Sequence, residues 1–144
     1  MAIFRKLARP LLASTFISGG LRTWRDPGAV APVAEPVTRP VSERIPAVPD
    51  DPTTLVRLNS AVQIGAGVLF ATGRLPRLSA LALAGSLVPT TLAGHAYWTV
   101  RDPEERARRR VHFYKNLSML GGLLIAAADT HGKPSLAYRL ENVR

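Results

Sequence analysis

Apolar residues in this chain are gathered into blocks, and the blocks predict its elements. The clearest runs from Leu78 to Val100 and contains no Asp, Glu, Lys or Arg. A soluble core helix keeps a polar face. This block has none, so it predicts a membrane helix long enough to cross a hydrocarbon layer of ~30 Å. Pro89 inside it is tolerable in a membrane, where neighbouring helices re-satisfy the freed backbone. A second block covers about 54–73 and ends in the turn Arg74-Leu75-Pro76-Arg77; another covers about 111–128, after the charged connector Arg101 to Arg110. The first block, about 3–24, opens on Arg5, Lys6 and Arg9 and continues through the apolar run Pro10 to Leu21. Basic residues before a short apolar run also describe a secretory signal, and Ala29-Val30-Ala31 offers a small-x-small site. Pro32 directly after that site, and Arg22, Trp24, Arg25 and Asp26 before it, favour an uncleaved span whose basic side chains snorkel. The expected fold class is all-α: an integral membrane four-helix bundle, with residues 1–144 forming one domain.

Residues 25–54 have a different texture. Seven of the twelve prolines lie here: Pro27, Pro32, Pro36, Pro40, Pro46, Pro49 and Pro52. Proline fixes φ and removes a backbone donor, so the expectation is an irregular segment of polyproline character lying over the bundle mouth. It reads as an ordinary long loop or as a ligand lid.

Charge changes the picture only by its position. Nineteen Lys and Arg against ten Asp and Glu give a net charge of +9. Such a balance suits nucleic acid or an anionic membrane surface. The basic residues cluster at the ends of the apolar blocks, as anchor charges do, and no nucleic-acid-binding motif is present. The partner expected is therefore the lipid bilayer, with no nucleic acid. No cysteine occurs, which excludes thiol redox chemistry and disulfides in this chain, and no metal-ligand spacing is seen.

Orientation is weakly marked. With four spans, one side carries Arg5, Lys6, Arg9, Arg74, Arg77, Lys133, Arg139 and Arg144, and the other Arg22, Arg25, Arg39, Arg44, Arg101, Arg106, Arg108, Arg109 and Arg110. The leading charges of the first helix favour cytoplasmic N- and C-termini.

Small residues predict where helices meet. Ala61-x-x-x-Gly65, Gly67-x-x-x-Ala71 and Ser118-x-x-x-Gly122-x-x-x-Ala126 form ridges that permit close backbone approach. They serve packing within the bundle or a homo-oligomer.

Ionisable and amide groups at membrane depth are the candidates for chemistry. Arg57, Asn59 and Gln63 open the second span, His95 and Trp98 close the third, and His112, Lys115 and Asn116 open the fourth. Up-down connectivity brings all three groups to one side. One reading is a positively biased cavity for a quinone or an anion, with Arg57 and Lys115 supplying charge and His95 a hydrogen bond or proton. The other has Arg57 and Lys115 snorkelling to headgroups while the amides join helices. Two histidines also raise a bis-His haem, which the several-ångström difference expected in their depths disfavours. At the opposite end, Asp129 is expected to form an inter-helix salt bridge with basic residues such as Arg9, a proton site being the lesser reading. His131, in the polar tail, reads as solvated.

Several of these stretches together resemble the DoxX family of small bacterial membrane proteins. They are Arg9-Pro10-Leu11-Leu12 with Phe16-Ile17-Ser18-Gly19-Gly20, Gly73-Arg74-Leu75-Pro76-Arg77, Gly94-His95-x-x-Trp98, and His112-Phe113-x-Lys115-Asn116-Leu117-x-x-x-Gly121-Gly122. Asp129-Thr130-x-Gly132-x-Pro134-Ser135 looks like actinobacterial members. The resemblance implies a four-helix membrane protein associated with redox homeostasis and oxidative-stress defence. In that setting the chain anchors other proteins of a redox complex; the alternative is a quinone- or sulfur-oxyanion-binding subunit of a membrane oxidoreductase. It does not imply catalysis by this chain alone.

Overall fold

Proline marks where several of the helices begin. The computed structural model describes residues 2–129. Helix α1 covers Ala2–Arg25, α2 Ala31–Arg44, α3 Pro52–Ala71, α4 Pro76–His95 and α5 Pro103–Ala128; a single 3-10 turn, Tyr97–Thr99, links α4 to α5. Pro52, Pro76 and Pro103 occupy first-turn positions, where a missing N–H removes no helical bond. Two of these prolines follow a capping aspartate. Asp51 accepts from the backbone N–H of Thr54 at 2.8 Å and of Thr53 at 3.2 Å. Asp102 accepts from the N–H of Glu105 at 2.8 Å. The Thr54 hydroxyl also donates to Asp51, and these bonds, that one foremost, hold the carboxyl below its ordinary pKa.

The end of α3 is equally local in origin. The Arg74 N–H reaches the Leu69 carbonyl at 2.8 Å and the Gly73 N–H that of Phe70 at 3.1 Å, a Schellman closure. Gly73 takes the left-handed conformation this closure requires, with φ of 73°. α4 then leaves antiparallel to α3.

The proline-rich segment is not irregular: residues 31–44 form α2. Pro32 sits in the first turn, and Pro36 and Pro40 follow at intervals of four. Each lost donor would have served the carbonyl of the proline one turn before, so all the lost bonds fall on one stripe. Pro32 and Pro36 on that stripe are exposed, where water or headgroups satisfy the carbonyls. The opposite face carries Val30, Ala34, Val37 and Val41 and lies across α3 and α4.

Two other boundaries differ from the hydrophobic pattern. α4 stops at His95 rather than near 100, and α5 starts at Pro103 rather than near 111. The Asp102 cap and the first-turn Glu104 and Glu105 favour a helix start there, well before the apolar block begins.

Along the bundle α1 packs on α3, α3 on α4, and α4 on α5. Phe16 from α1, Phe70 from α3, Leu83 and Leu87 from α4, and Leu123 from α5 meet in one core. Close approach of α1 and α3 rests on Gly20 and Gly67. A Cβ on Gly20 would stand 2.9 Å from Ile64 Cγ1, and one on Gly67 2.7 Å from Ile17 Cγ1.

The small-residue ridges are used only in part. Gly65 has nothing within 4 Å of an added Cβ and faces outward, unlike Gly67 two residues on. In α5 the buried stripe is Asn116, Leu123 and Ala127. Ser118 is exposed and bonds the Tyr114 carbonyl of its own helix; Ala126 packs beside the core, and a Cβ added to Gly122 would meet Leu12 only at an ordinary 3.7 Å, so that glycine is not needed for close approach. Leu123 and Ala127 take the contact face with Asn116, which turns Ser118 away.

The exterior is apolar. Leu58, Val62 and Leu69 of α3, Leu78 and Leu81 of α4, and Leu117, Leu124 and Ile125 of α5 all lie exposed. The stretches Pro52–Ala71 and Pro76–Thr99 are long and apolar enough to cross a membrane.

Candidate functional site

A cavity of about 580 Å³ lies where α2 crosses α3 and α4. Most of its wall is aliphatic: the valines of α2, with Leu55 and Val56 from α3 and Val88, Leu92 and Ala93 from α4. Its polar groups are Asn59, Ser60 and Gln63 on α3, Thr90 and His95 on α4, and Thr23 and Thr38 at the edges. Among the described residues, no Asp, Glu, Lys or Arg lines it.

Thr90 organises the polar end. Its hydroxyl accepts from Asn59 Nδ2 and from Gln63 Nε2, both at 3.1 Å, and donates to the Ser86 carbonyl at 2.8 Å. Asn59 and Gln63 share a face of α3 because they are four residues apart. With each amide donating to Thr90, its carbonyl oxygen remains as an acceptor at the cavity. Gln63 is buried, about halfway along α3. Ser60, between them on the buried side, bonds the Val56 carbonyl of its own helix at 2.8 Å.

The next residue on α4 faces the other neighbour. Thr91 accepts from Asn116 Nδ2 of α5 at 3.0 Å and donates to the Leu87 carbonyl at 2.7 Å. Pro89 immediately precedes this pair. The two hydroxyls therefore join α4 to α3 on one side and to α5 on the other, near the middle of the bundle.

The proposed charged members do not converge here. Arg57 and Lys115 are exposed, and neither lines the cavity. A charged head at the end of a long stem is better solvated at an interface than in an aliphatic pocket. His95 lines the cavity, whereas Trp98 is 54% exposed and meets Tyr97 and Phe113 edge to face. Tyr97, Trp98, Phe113 and Tyr114 thus gather beside the end of α4, as an interfacial aromatic belt does.

His95 and His112 come closer than their positions in the apolar blocks suggest. Their rings stack with centroids 5.1 Å apart and an interplanar angle of 24°. The shortened α4 and the early start of α5 bring the two histidines level. Face-to-face rings leave no room between them for a haem iron, which needs an end-on imidazole nitrogen on each side.

At the far end of the bundle Asp129 follows α5. Arg5 Nε lies 2.9 Å from its carboxylate and Arg9 Nη2 4.0 Å, so the closer contact is with Arg5. Arg77 Nε donates to the Ala127 carbonyl at 2.8 Å and so serves the end of α5. The motif positions from Thr130 onward, including His131, lie outside the described residues.

Sequence reasoning reached Asn59, Gln63, His95 and Asn116 but missed the residues that organise them. Thr90 and Thr91 were legible as hydroxyls beside Pro89, and Val33, Val37 and Val41 as an i,i+4 stripe between the prolines.

No curated protein and no solved structure matches the chain. The DoxX family model matches residues 4–96, from α1 through the proline-rich α2 to the end of α4, and stops short of α5. On that match, which takes in the whole cavity wall, the chain belongs to the DoxX family.

Proposed function

We propose that the chain is a four-span membrane subunit serving redox homeostasis, which holds a quinone-class molecule and anchors the partner proteins that use it. The carrying observation is the cavity: an aliphatic wall with an amide and hydroxyl cluster at one end and, among the described residues, no Asp, Glu, Lys or Arg. Such a pocket suits a neutral ring bearing carbonyl or hydroxyl oxygens, with the free N–H of the Asn59 and Gln63 amides as donors and their carbonyl oxygens as acceptors. A sulfur oxyanion suits it less well, because among the described residues no Lys or Arg lines the cavity to pair with a desolvated charge.

The four-span reading is supported by the apolar exterior. α1, α3, α4 and α5 each exceed eighteen residues, and each presents exposed aliphatic side chains outward. α2 lies at the interface, since its exposed prolines leave backbone carbonyls that hydrocarbon cannot satisfy. The basic start of α1 favours a cytoplasmic N-terminus in a bacterial plasma membrane. The anchoring role draws on the family resemblance and on the charged first turns of α5, where Arg108 and Arg110 stand exposed at the expected membrane surface.

Purification in mild detergent, followed by solvent extraction and mass spectrometry, tests the reading. A quinone should co-purify with the wild type and be lost from Asn59→Leu/Gln63→Leu, while soluble redox proteins remain attached in both. A cavity that retains no quinone under any condition would overturn the ligand part, and purification without soluble partners the anchoring part.

A further inference from the structure

The cavity has apolar lips. On α2 the lining residues Val33 and Val41 are 47% and 42% exposed; on α4 Val88 and Leu92 are 46% and 43% exposed. These four are simultaneously wall and surface, so the mouth lies between α2 and α4.

The direction of the mouth follows from the α4 lip. Leu78, Leu81, Gly85, Val88 and Leu92 succeed one another at intervals of three and four, one stripe of the helix. Leu78 and Leu81 on the same stripe are 63% and 52% exposed and touch no part of the cavity. This is the bilayer-facing side of α4. Counting from Pro76 at 1.5 Å per residue, Val88 and Leu92 lie roughly 18–24 Å along a helix of about 30 Å, within the hydrocarbon layer. The α4 lip therefore faces lipid while the α2 lip lies at the interface, so the mouth opens sideways at the outer margin of the hydrocarbon layer. Its α2 lip belongs to a helix that Gly28 separates from α1 and that Pro46 and Pro49 separate from α3.

We infer that the ligand is a lipid-phase molecule that enters laterally between α2 and α4, lodges its polar head against Asn59, Gln63 and Thr90, and leaves its hydrocarbon chain lying out through the gap into the bilayer. The inference rests on the cavity reading above and adds to it the ligand's class and route: one long apolar chain, one uncharged head, and no passage through the aqueous phase. A cavity of this volume houses a single-ring head with a few chain carbons, and the remainder of the chain stays in lipid.

The test uses the full-length protein in phosphatidylcholine vesicles and a photoactivatable probe, a decyl chain bearing a diazirine and ending in a benzoquinone. Irradiation should label peptides of α2 and α4. Val88→Trp and Val33→Trp, one on each lip, should each cut labelling about tenfold. Leu81→Trp, on the same exposed stripe but away from the mouth, should leave labelling unchanged and so reports on folding. A tail-less methylbenzoquinone added in the water phase should compete poorly. Labelling that survives both lip substitutions, equal competition by the tail-less quinone, or no labelling of the wild type would each overturn the lateral route. The pair Asn59→Leu/Gln63→Leu separates this inference from the reading beneath it. Labelling lost in the lip variants but kept in the amide pair sinks the head-group reading and supports the route; the converse sinks the route alone.

Discussion

Gly65 and Gly67 lie on one helix, two residues apart, and the bundle treats them oppositely. A Cβ placed on Gly67 would stand 2.7 Å from Ile17 Cγ1 and 3.5 Å from its Cδ1. Carbon atoms pack best at ~3.5–4.0 Å, so α1 or the Ile17 side chain must retreat by about 1 Å. Overpacking of that kind costs about 1–3 kcal/mol, against a gain of about 1 kcal/mol when Ala replaces Gly in a helix. Gly67→Ala should therefore fall between neutral and about 2 kcal/mol destabilising, and about 1–3 kcal/mol below Gly65→Ala. Gly65→Ala meets nothing within 4 Å and keeps only the propensity gain, so it should be neutral or stabilising by up to about 1 kcal/mol. Reversible unfolding in mixed detergent micelles, followed by fluorescence of Trp24 and Trp98, measures both. Trimming the obstructing side chain with Ile17→Ala should relieve part of the Gly67→Ala cost, giving a favourable coupling in a double-mutant cycle. Equal costs at the two glycines, or strict additivity in the cycle, would refute the close-approach argument.

Thr90→Val keeps the shape of the side chain but leaves two amides without their shared acceptor. It should cost about 1–2 kcal/mol in the same unfolding assay, and Thr90→Ser should recover most of it. Asp129→Asn should weaken the attachment of the start of α1 to the end of α5 by less than about 1 kcal/mol, because both ion-pair partners are partly solvated, and the wild-type contribution should fade with added salt. Asp51 supplies a pH test. Its carboxyl pKa is lowered in the folded chain from the ordinary value of 3.8. Its stabilisation is therefore complete above that value and is lost as pH falls through the depressed folded one. The protection of the Thr53 and Thr54 amides, taken relative to their intrinsic exchange rate at each pH, should fall across that acid range in the wild type and stay flat in Asp51→Asn.

What could be read from the sequence, and what could not, follows from the range of each interaction. The helical blocks were legible because an uncharged stretch such as Ser79 to Gly94 has few alternatives. The start of α5 at Pro103 was written in Asp102-Pro103 but hidden by the charges that follow, since a hydropathy pattern marks the membrane and not the helix. The helix α2 departs from the irregular segment that its proline content predicts, because the spacing of Pro32, Pro36 and Pro40 matters more than their number. Spaced by four, they damage one stripe and leave Val30, Ala34, Val37 and Val41 intact on the other side. At the site, Asn59 and Gln63 were recognisable as polar groups at depth, but only packing reveals that both turn to Thr90. The outward turn of Arg57 and Lys115 depends on competition between solvation and a cavity whose walls come from distant parts of the chain.

The adjacent hydroxyls of Thr90 and Thr91 also restrict how this protein can move. Consecutive residues on a helix point about 100° apart, so α4 is tethered from two directions at nearly the same height. Rolling the helix about its own axis would pull Thr90 from Asn59 and Gln63 while driving Thr91 past Asn116, breaking both sets of bonds at once. Tilting about that height stretches neither by much. Such a tilt is checked at the Pro76 end, where Arg77 Nε holds the Ala127 carbonyl of α5 at 2.8 Å, so α4 is fixed against rolling at one height and against tilting at another.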